Sequence, residues 1–230
     1  MTLQALVTDT VHEAVGRGHR SDPVAEQTGG PAGNARLTAW TGALLLVLFA
    51  IEGVTTLDVH GMLTWHFVVG VLLVPPALVK TASTGWRIVR YYTGSRPYRA
   101  AGPPPMLLRL IGPLVVASTL ALLGTGVALA LLAPSGSRQP FLGLDLVMLH
   151  KASFVVWLVV TIPHVLGRLV PAVRLIWRPA LAVPGRVIRT VALCLTVAAA
   201  VACGVLVVGT VGPWHANPEH HGPPGRHIEH

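Results

Sequence analysis

The chain has 230 residues, of which 52% are hydrophobic and only 11% are charged, against about 25% charged residues in an ordinary soluble domain. This composition excludes a soluble globular protein and predicts an all-α, integral membrane helical bundle. The net charge of +8 does not indicate a nucleic-acid-binding protein, because the basic residues cluster at the ends of apolar segments instead of forming one basic face.

The order of polar and apolar segments predicts three regions. Residues 1–36 are polar and glycine-rich near their end, and predict a disordered tail, with one short helix at 3–15 as the alternative. No apolar run follows Met1, so we expect no cleavable signal peptide. Residues 212–230 form a His-rich tail. Between the tails, 37–211 predicts a bundle of five transmembrane helices, at about 37–57, 62–80, 110–132, 146–170 and 191–211.

The first four spans are expected to form a four-helix bundle. The second span contains Pro75 and Pro76, which predict a kink. Lys and Arg are unevenly distributed between the links: six lie in 80–109 and five in 168–189, with no acidic residue in either segment. Positive charge marks the cytoplasmic side, so we expect a cytoplasmic N-terminus and an outer C-terminus.

Three histidines lie within the predicted spans: His66 in the second, and His150 and His164 in the fourth. His66 and His150 fall near the outer ends of their helices, and so at a similar depth. Two neutral imidazoles on facing helices are typical ligands of haem iron. The alternative is that these histidines only pack inside the bundle. His60 is the competing ligand, but its place in the short link 58–61 favours His66.

His164 follows His150 by 14 residues, which returns it to nearly the same helix face roughly 21 Å further along the axis. The residue 14 positions after His66 is Lys80, and not a histidine. Three roles therefore stay open for His164: ligation of an inner haem with another partner, quinone binding, or a hydrogen bond to a neighbouring helix.

These histidines resemble those of the bacterial four-helix membrane cytochromes b, of the cytochrome b561 and hydrogenase cytochrome b kind, in which histidines at about this spacing ligate b haems. The resemblance covers roughly residues 37–170 and departs at Lys80. It implies one haem b held by His66 and His150, and leaves an inner haem at His164 without a complete ligand pair.

The same resemblance implies electron transfer between the quinone pool and an outer redox partner protein, in the plasma membrane of a bacterium. The stretch STGWRIVRYYTG (83–94) is also similar to one in actinobacterial membrane proteins, and that similarity implies no activity.

Two further features suggest sites. Glu52 is the one carboxylate within a predicted span, near His60 and His66; it is either a proton acceptor coupled to quinol oxidation or an interfacial carboxylate that reaches water. In the C-terminal tail, His215, His220 and His221 are candidate ligands of a divalent metal ion, and the alternative is a solvated tail.

The expected function is therefore haem b electron transfer, as a subunit in contact with lipid and not as a stand-alone enzyme. Three alternatives remain: a membrane anchor subunit of a separate oxidoreductase, a haem-free metal-handling transporter, and a structural membrane protein. The sequence contains no pattern of a nucleophile–base pair, a phosphate-binding loop or a closed zinc site.

Overall fold

The computed structural model describes residues 3–17, 22–132, 140–141, 144–177 and 183–215. Within these residues the chain forms eight α-helices, one 3-10 helix (Thr56–Asp58) and one short antiparallel strand pair. The α-helices are Leu3–Ala14 (α1), Gly30–Thr55 (α2), Leu63–Leu72 (α3), Val74–Tyr92 (α4), Arg96–Ala101 (α5), Met106–Leu132 (α6), Leu146–Trp177 (α7) and Arg186–His215 (α8). The strands Pro140–Phe141 (β1) and Leu144–Asp145 (β2) precede α7.

Five helical segments of the described chain are long and apolar enough to cross a bilayer. They are Gly30–Asp58, Leu63–Tyr92, Met106–Leu132, Leu146–Trp177 and Arg186–Gly212. Each has 27 to 32 residues, and at about 1.5 Å per residue each exceeds the hydrocarbon thickness of roughly 30 Å. The prediction of an all-α membrane protein with five spanning helices is confirmed.

The second span consists of two helices, α3 and α4, which meet at Leu73. Pro75 and Pro76 lie in the first turn of α4, where a missing N–H costs little. In a continuous helix the same prolines would remove hydrogen bonds and clash with the preceding turn. The predicted interruption is confirmed.

The spanning helices form a ring of α2, α3/α4, α6 and α7, with α8 outside it. Trp157 of α7 joins two neighbours: its ring centroid lies 4.4 Å from that of Phe49 of α2, and its Nε1 donates to Thr119 of α6 at 3.1 Å. Helix α8 packs against α3 at Gly204, where a Cβ would lie 3.4 Å from Leu72. The expected four-helix arrangement is thus present, and the fifth helix flanks it.

The two ends of this ring differ. The end that carries His66 and His150 is called the histidine end, and the end that carries Lys80 the lysine end. Between them lies an apolar layer, in which buried Leu45, Leu73 and Ala77 pack with Phe49, and the Phe49 ring contacts Trp157 at a tilt of 34°.

The predicted helix limits were too narrow at the lysine end. Hydropathy locates only the part of a helix that lies in hydrocarbon, whereas the turns at this end contain Arg, Tyr and Trp, which are amphipathic residues typical of the interface. The helices continue through those turns: α2 begins at Gly30 and not 37, α4 ends at Tyr92 and not 80, α6 begins at Met106 and not 110, α7 ends at Trp177 and not 170, and α8 begins at Arg186 and not 191.

The described parts of 1–36 differ from the predicted disordered tail: they include α1, at the position of the alternative short helix 3–15, and the start of α2. Acidic side chains hold this segment against the basic lysine end. Glu13 Oε1 lies 3.0 Å from Nη1 of Arg168, and Asp22 pairs with Arg87. Sequence composition does not report such distant charge pairs.

A cavity at the helix break is expected to destabilise the bundle. Only 1% of Leu73 is exposed, whereas Leu78 in α4 is 53% exposed. We expect Leu73→Ala to lower the free energy of unfolding by about 2 kcal/mol or more, because truncated core leucines leave cavities. Leu78→Ala is the matched control and should remain within about 0.5 kcal/mol of the unmodified protein. Thermal unfolding of the purified protein in detergent measures both; equal losses would contradict this packing.

Candidate functional site

Five polar side chains from four spanning segments meet at the histidine end, and are called the histidine cluster. They are Glu52 and Thr55 of α2, His66 of α3, Thr125 of α6 and His150 of α7. The ring centroids of the two histidines lie 6.3 Å apart, with the ring planes at 83°. The structure therefore brings together the two histidines that the sequence analysis paired by depth.

Hydrogen bonds define the tautomer of His66. Thr55 Oγ1 donates its one proton to the Glu52 carbonyl at 2.7 Å, so towards His66 Nδ1, at 3.0 Å, this oxygen acts as acceptor. Glu52 Oε1, also 3.0 Å from Nδ1, is a second acceptor. With Glu52 ionised, both oxygens are acceptors, so Nδ1 carries the proton of a neutral ring and Nε2 carries the lone pair.

His150 repeats this arrangement on the opposite side of the bundle. Thr125 Oγ1 donates to the Ala121 carbonyl of its own helix at 2.8 Å. The same oxygen lies 3.0 Å from Nδ1 of His150, and there acts as acceptor. Both imidazoles thus have a protonated Nδ1 held by a fixed acceptor, and both have Nε2 as the potential ligand atom.

Two glycines make room for the histidine cluster. A Cβ on Gly126 would lie 3.2 Å from Cε1 of His150, and one on Gly70 would lie 3.3 Å from Oε1 of Glu52. A side chain at either position would push a cluster member aside. Gly124 has no atom within 4 Å of its Cβ position, so it has no such role within the described structure.

Glu52 does not behave as an interfacial carboxylate. Its side chain is only 14% exposed, and that of His66 is 22% exposed. The carboxylate instead turns inward to His66 and Thr55. This burial overturns the interpretation of Glu52 as a group that reaches water.

The other predicted site residues lie elsewhere. His60 is exposed, in the turn before α3. His164 lies at the lysine end, where its electrostatic neighbours are Lys80 and Arg168. The side chains of His215, His220 and His221 lie outside the described part of the chain.

Sequence reasoning missed Thr55 and Thr125. Thr55 is three residues after Glu52 and Thr125 lies between two glycines, and neither spacing identifies a histidine partner on another helix. Threonines in membrane helices commonly bond their own backbone, so only the three-dimensional structure identifies these two as acceptors.

Comparisons of the chain with models of known protein families, with curated proteins and with solved structures give no match. Among the described residues, no group of three or more His, Cys, Asp or Glu side chains is arranged to hold a metal ion. The histidine cluster is therefore a two-imidazole site with fixed acceptors behind each ring.

The Thr55 hydroxyl is expected to contribute more to the stability of the protein than the hydroxyl of Thr56. Thr55→Val keeps the shape and removes one of the two acceptors of His66 Nδ1. Because Glu52 remains as the second acceptor, the free energy of unfolding should fall by about 1 kcal/mol, the usual net contribution of one hydrogen bond. Thr56→Val is the control, because the Thr56 hydroxyl is exposed and bonds only the Gly53 carbonyl. Thermal unfolding compares them; similar losses for the two variants would show that Thr55 does not support His66.

Proposed function

We propose that the protein is a haem b membrane protein, which carries electrons between the quinone pool and a redox partner at the histidine end. The observation that carries this proposal is the proximity of two imidazoles from different helices, His66 and His150, whose ring centroids lie 6.3 Å apart. Two neutral imidazoles from different helices are suitable ligands for haem iron, so His66 and His150 are the residues that would hold a haem b here.

The hydrogen-bonded Nδ1 atoms support this proposal. Histidines that bind metals generally donate the other ring N–H to a carboxylate or another acceptor, which orients the ring and raises its basicity. Glu52 and Thr55 have this role for His66, and Thr125 has it for His150. When bound, haem b supplies a one-electron carrier.

The chain's own residues keep the site dry and orient its ligands. The apolar layer, with Phe49 against Trp157, separates the histidine cluster from the lysine end. Glu52 is the carboxylate next to a ligand histidine, and we assign to it proton uptake when a quinol is oxidised. Because Glu52 is largely buried, this uptake needs a path along Thr55 or His66.

We also propose the topology that the basic links predict. The lysine end carries the two links with six and five Lys or Arg residues, and such links are retained in the cytoplasm. The histidine end then faces outward, in the plasma membrane of a bacterium.

Haem spectroscopy tests the function. We expect the purified protein to have the reduced α-band of a b-type haem, and His66→Ala and His150→Ala each to abolish it, since both imidazoles would hold the iron. His60→Ala is the control and should keep the band. Absence of an α-band from the unmodified, folded protein would refute the haem proposal and favour histidines that only join helices.

The glycine next to His150 provides a second spectroscopic test. Gly126→Val should reduce haem content several-fold, because a branched side chain displaces the His150 ring, whose Cε1 would be 3.2 Å from the new Cβ. Gly124→Val, two residues away, adds the same side chain where no atom lies within 4 Å, and should bind haem normally. Haem per protein, measured by pyridine haemochrome, distinguishes the two; equal haem contents would argue against ligation by His150.

Labelling with a membrane-impermeant thiol reagent tests the topology. In a background of Cys194→Ala and Cys203→Ala, we expect Thr56→Cys at the histidine end to react in intact cells. Thr93→Cys at the lysine end should react only after permeabilisation, because basic links stay inside. The reverse pattern would invert the proposed orientation while leaving the haem proposal untouched.

A further inference from the structure

A second polar cluster lies at the lysine end, apart from the histidine cluster. Lys80 of α4 extends towards α2, where its Nζ donates to the Thr38 carbonyl at 3.2 Å. It fits there because residue 42 is glycine: a Cβ at Gly42 would lie 2.9 Å from Nζ. The ammonium group is therefore directed into the bundle and away from the interface.

Helix α7 contributes polar residues on one face at the same end. Thr161, His164 and Arg168 are spaced by three and four residues, and so share a helix face. Oγ1 of Thr161 and Nδ1 of His164 are buried, and within the described chain neither has a hydrogen-bond partner. Two such atoms one turn apart are unusual, because buried polar atoms are nearly always paired with protein, water or ligand.

The charges of this cluster do not balance. Arg168 is paired with Glu13 of α1 at 3.0 Å. For Lys80, by contrast, the described residues offer a backbone carbonyl and no carboxylate within ion-pair distance. A buried ammonium group in a membrane protein is costly without a counter-ion, so the cluster has one positive charge in excess.

Lys80, Thr161 and His164 have hydrogen-bond donors left over for a ligand. Lys80 carries three N–H donors, Thr161 has a hydroxyl donor, and a neutral His164 has one ring N–H to donate. Lys80 and His164 lie within electrostatic range of each other, from α4 and α7. Donors from two helices, at an end of the bundle with excess positive charge, match an oxyanion, which has several acceptor oxygens.

We propose that Lys80, Thr161 and His164 form a binding site for a phosphate group, one helical turn from the Glu13–Arg168 ion pair. The phosphate group comes either from free inorganic phosphate or from the headgroup of an anionic lipid. The site is independent of haem at the histidine end, so the failure of one proposal leaves the other intact.

Thermal unfolding of the full-length protein in a maltoside detergent, whose headgroup carries no phosphate, tests this site. We expect inorganic phosphate to raise the unfolding midpoint in a saturable manner, and chloride at equal ionic strength not to do so. A second arm adds phosphatidylglycerol to the micelles without inorganic phosphate. A saturable rise in either arm supports the site and identifies the source; no rise in either arm overturns it.

Substitution of each of the two lysines tests whether phosphate binds at Lys80. Lys80→Met should raise the half-saturating concentration at least about tenfold, because a charge-assisted hydrogen bond is lost. Without phosphate, the same variant should unfold at or above the midpoint of the unmodified protein, since the desolvation cost of an ammonium group without a counter-ion offsets its hydrogen bond to the Thr38 carbonyl. Lys151→Met removes the chain's other lysine, which is exposed, and should leave phosphate binding unchanged.

Equal weakening by Lys80→Met and Lys151→Met would overturn the proposal, because the effect would then reflect net charge alone. If Lys80→Met does not fold, His164→Leu serves instead. This variant removes one hydrogen-bond donor and should weaken the binding of phosphate several-fold. An unchanged half-saturating concentration would contradict the proposed phosphate site.

Discussion

Hydrocarbon offers no hydrogen bonds, so a polar side chain within this bundle depends on partners from its own or a neighbouring helix. That constraint organises the molecule into two polar layers separated by an apolar one. The histidine cluster joins α2 to α3 and α6 to α7, the lysine end joins α2 to α4, and Phe49 and Trp157 pack between them. Each polar layer holds neighbouring helices together through hydrogen bonds. Apolar side chains alone would do this poorly, because they pack almost as well against lipid as against another helix.

Helix α7 illustrates how this constraint determines helix rotation. His150, Trp157 and Arg168 lie on one face, and each has its partner at a different depth: Thr125, Thr119 and Glu13. A rotation by one residue, about 100°, would break all three contacts at once. The remaining surface of α7 is apolar and exposed, with Val159 and Leu166 among its outward residues, as expected for contact with lipid.

Hydropathy and residue spacing predicted the spanning helices, the interruption at Pro75 and Pro76, and the depth match of His66 with His150. These features depend on local sequence and on one bilayer dimension, so a single sequence contains them. The partners Thr55 and Thr125, the burial of Glu52 and the docking of α1 were not predicted. Each depends on which helices become neighbours and how they rotate, and in apolar segments hydropathy carries little information about either.

The ion pair between Glu13 and Arg168 has a consequence for the order of biogenesis. Glu13 is synthesised 155 residues before its partner, and therefore before the fourth spanning helix. Helix α1 can form this ion pair only after that helix has been inserted. The docking of α1 is therefore a late step of assembly. It takes place on a chain whose four-helix ring has already formed.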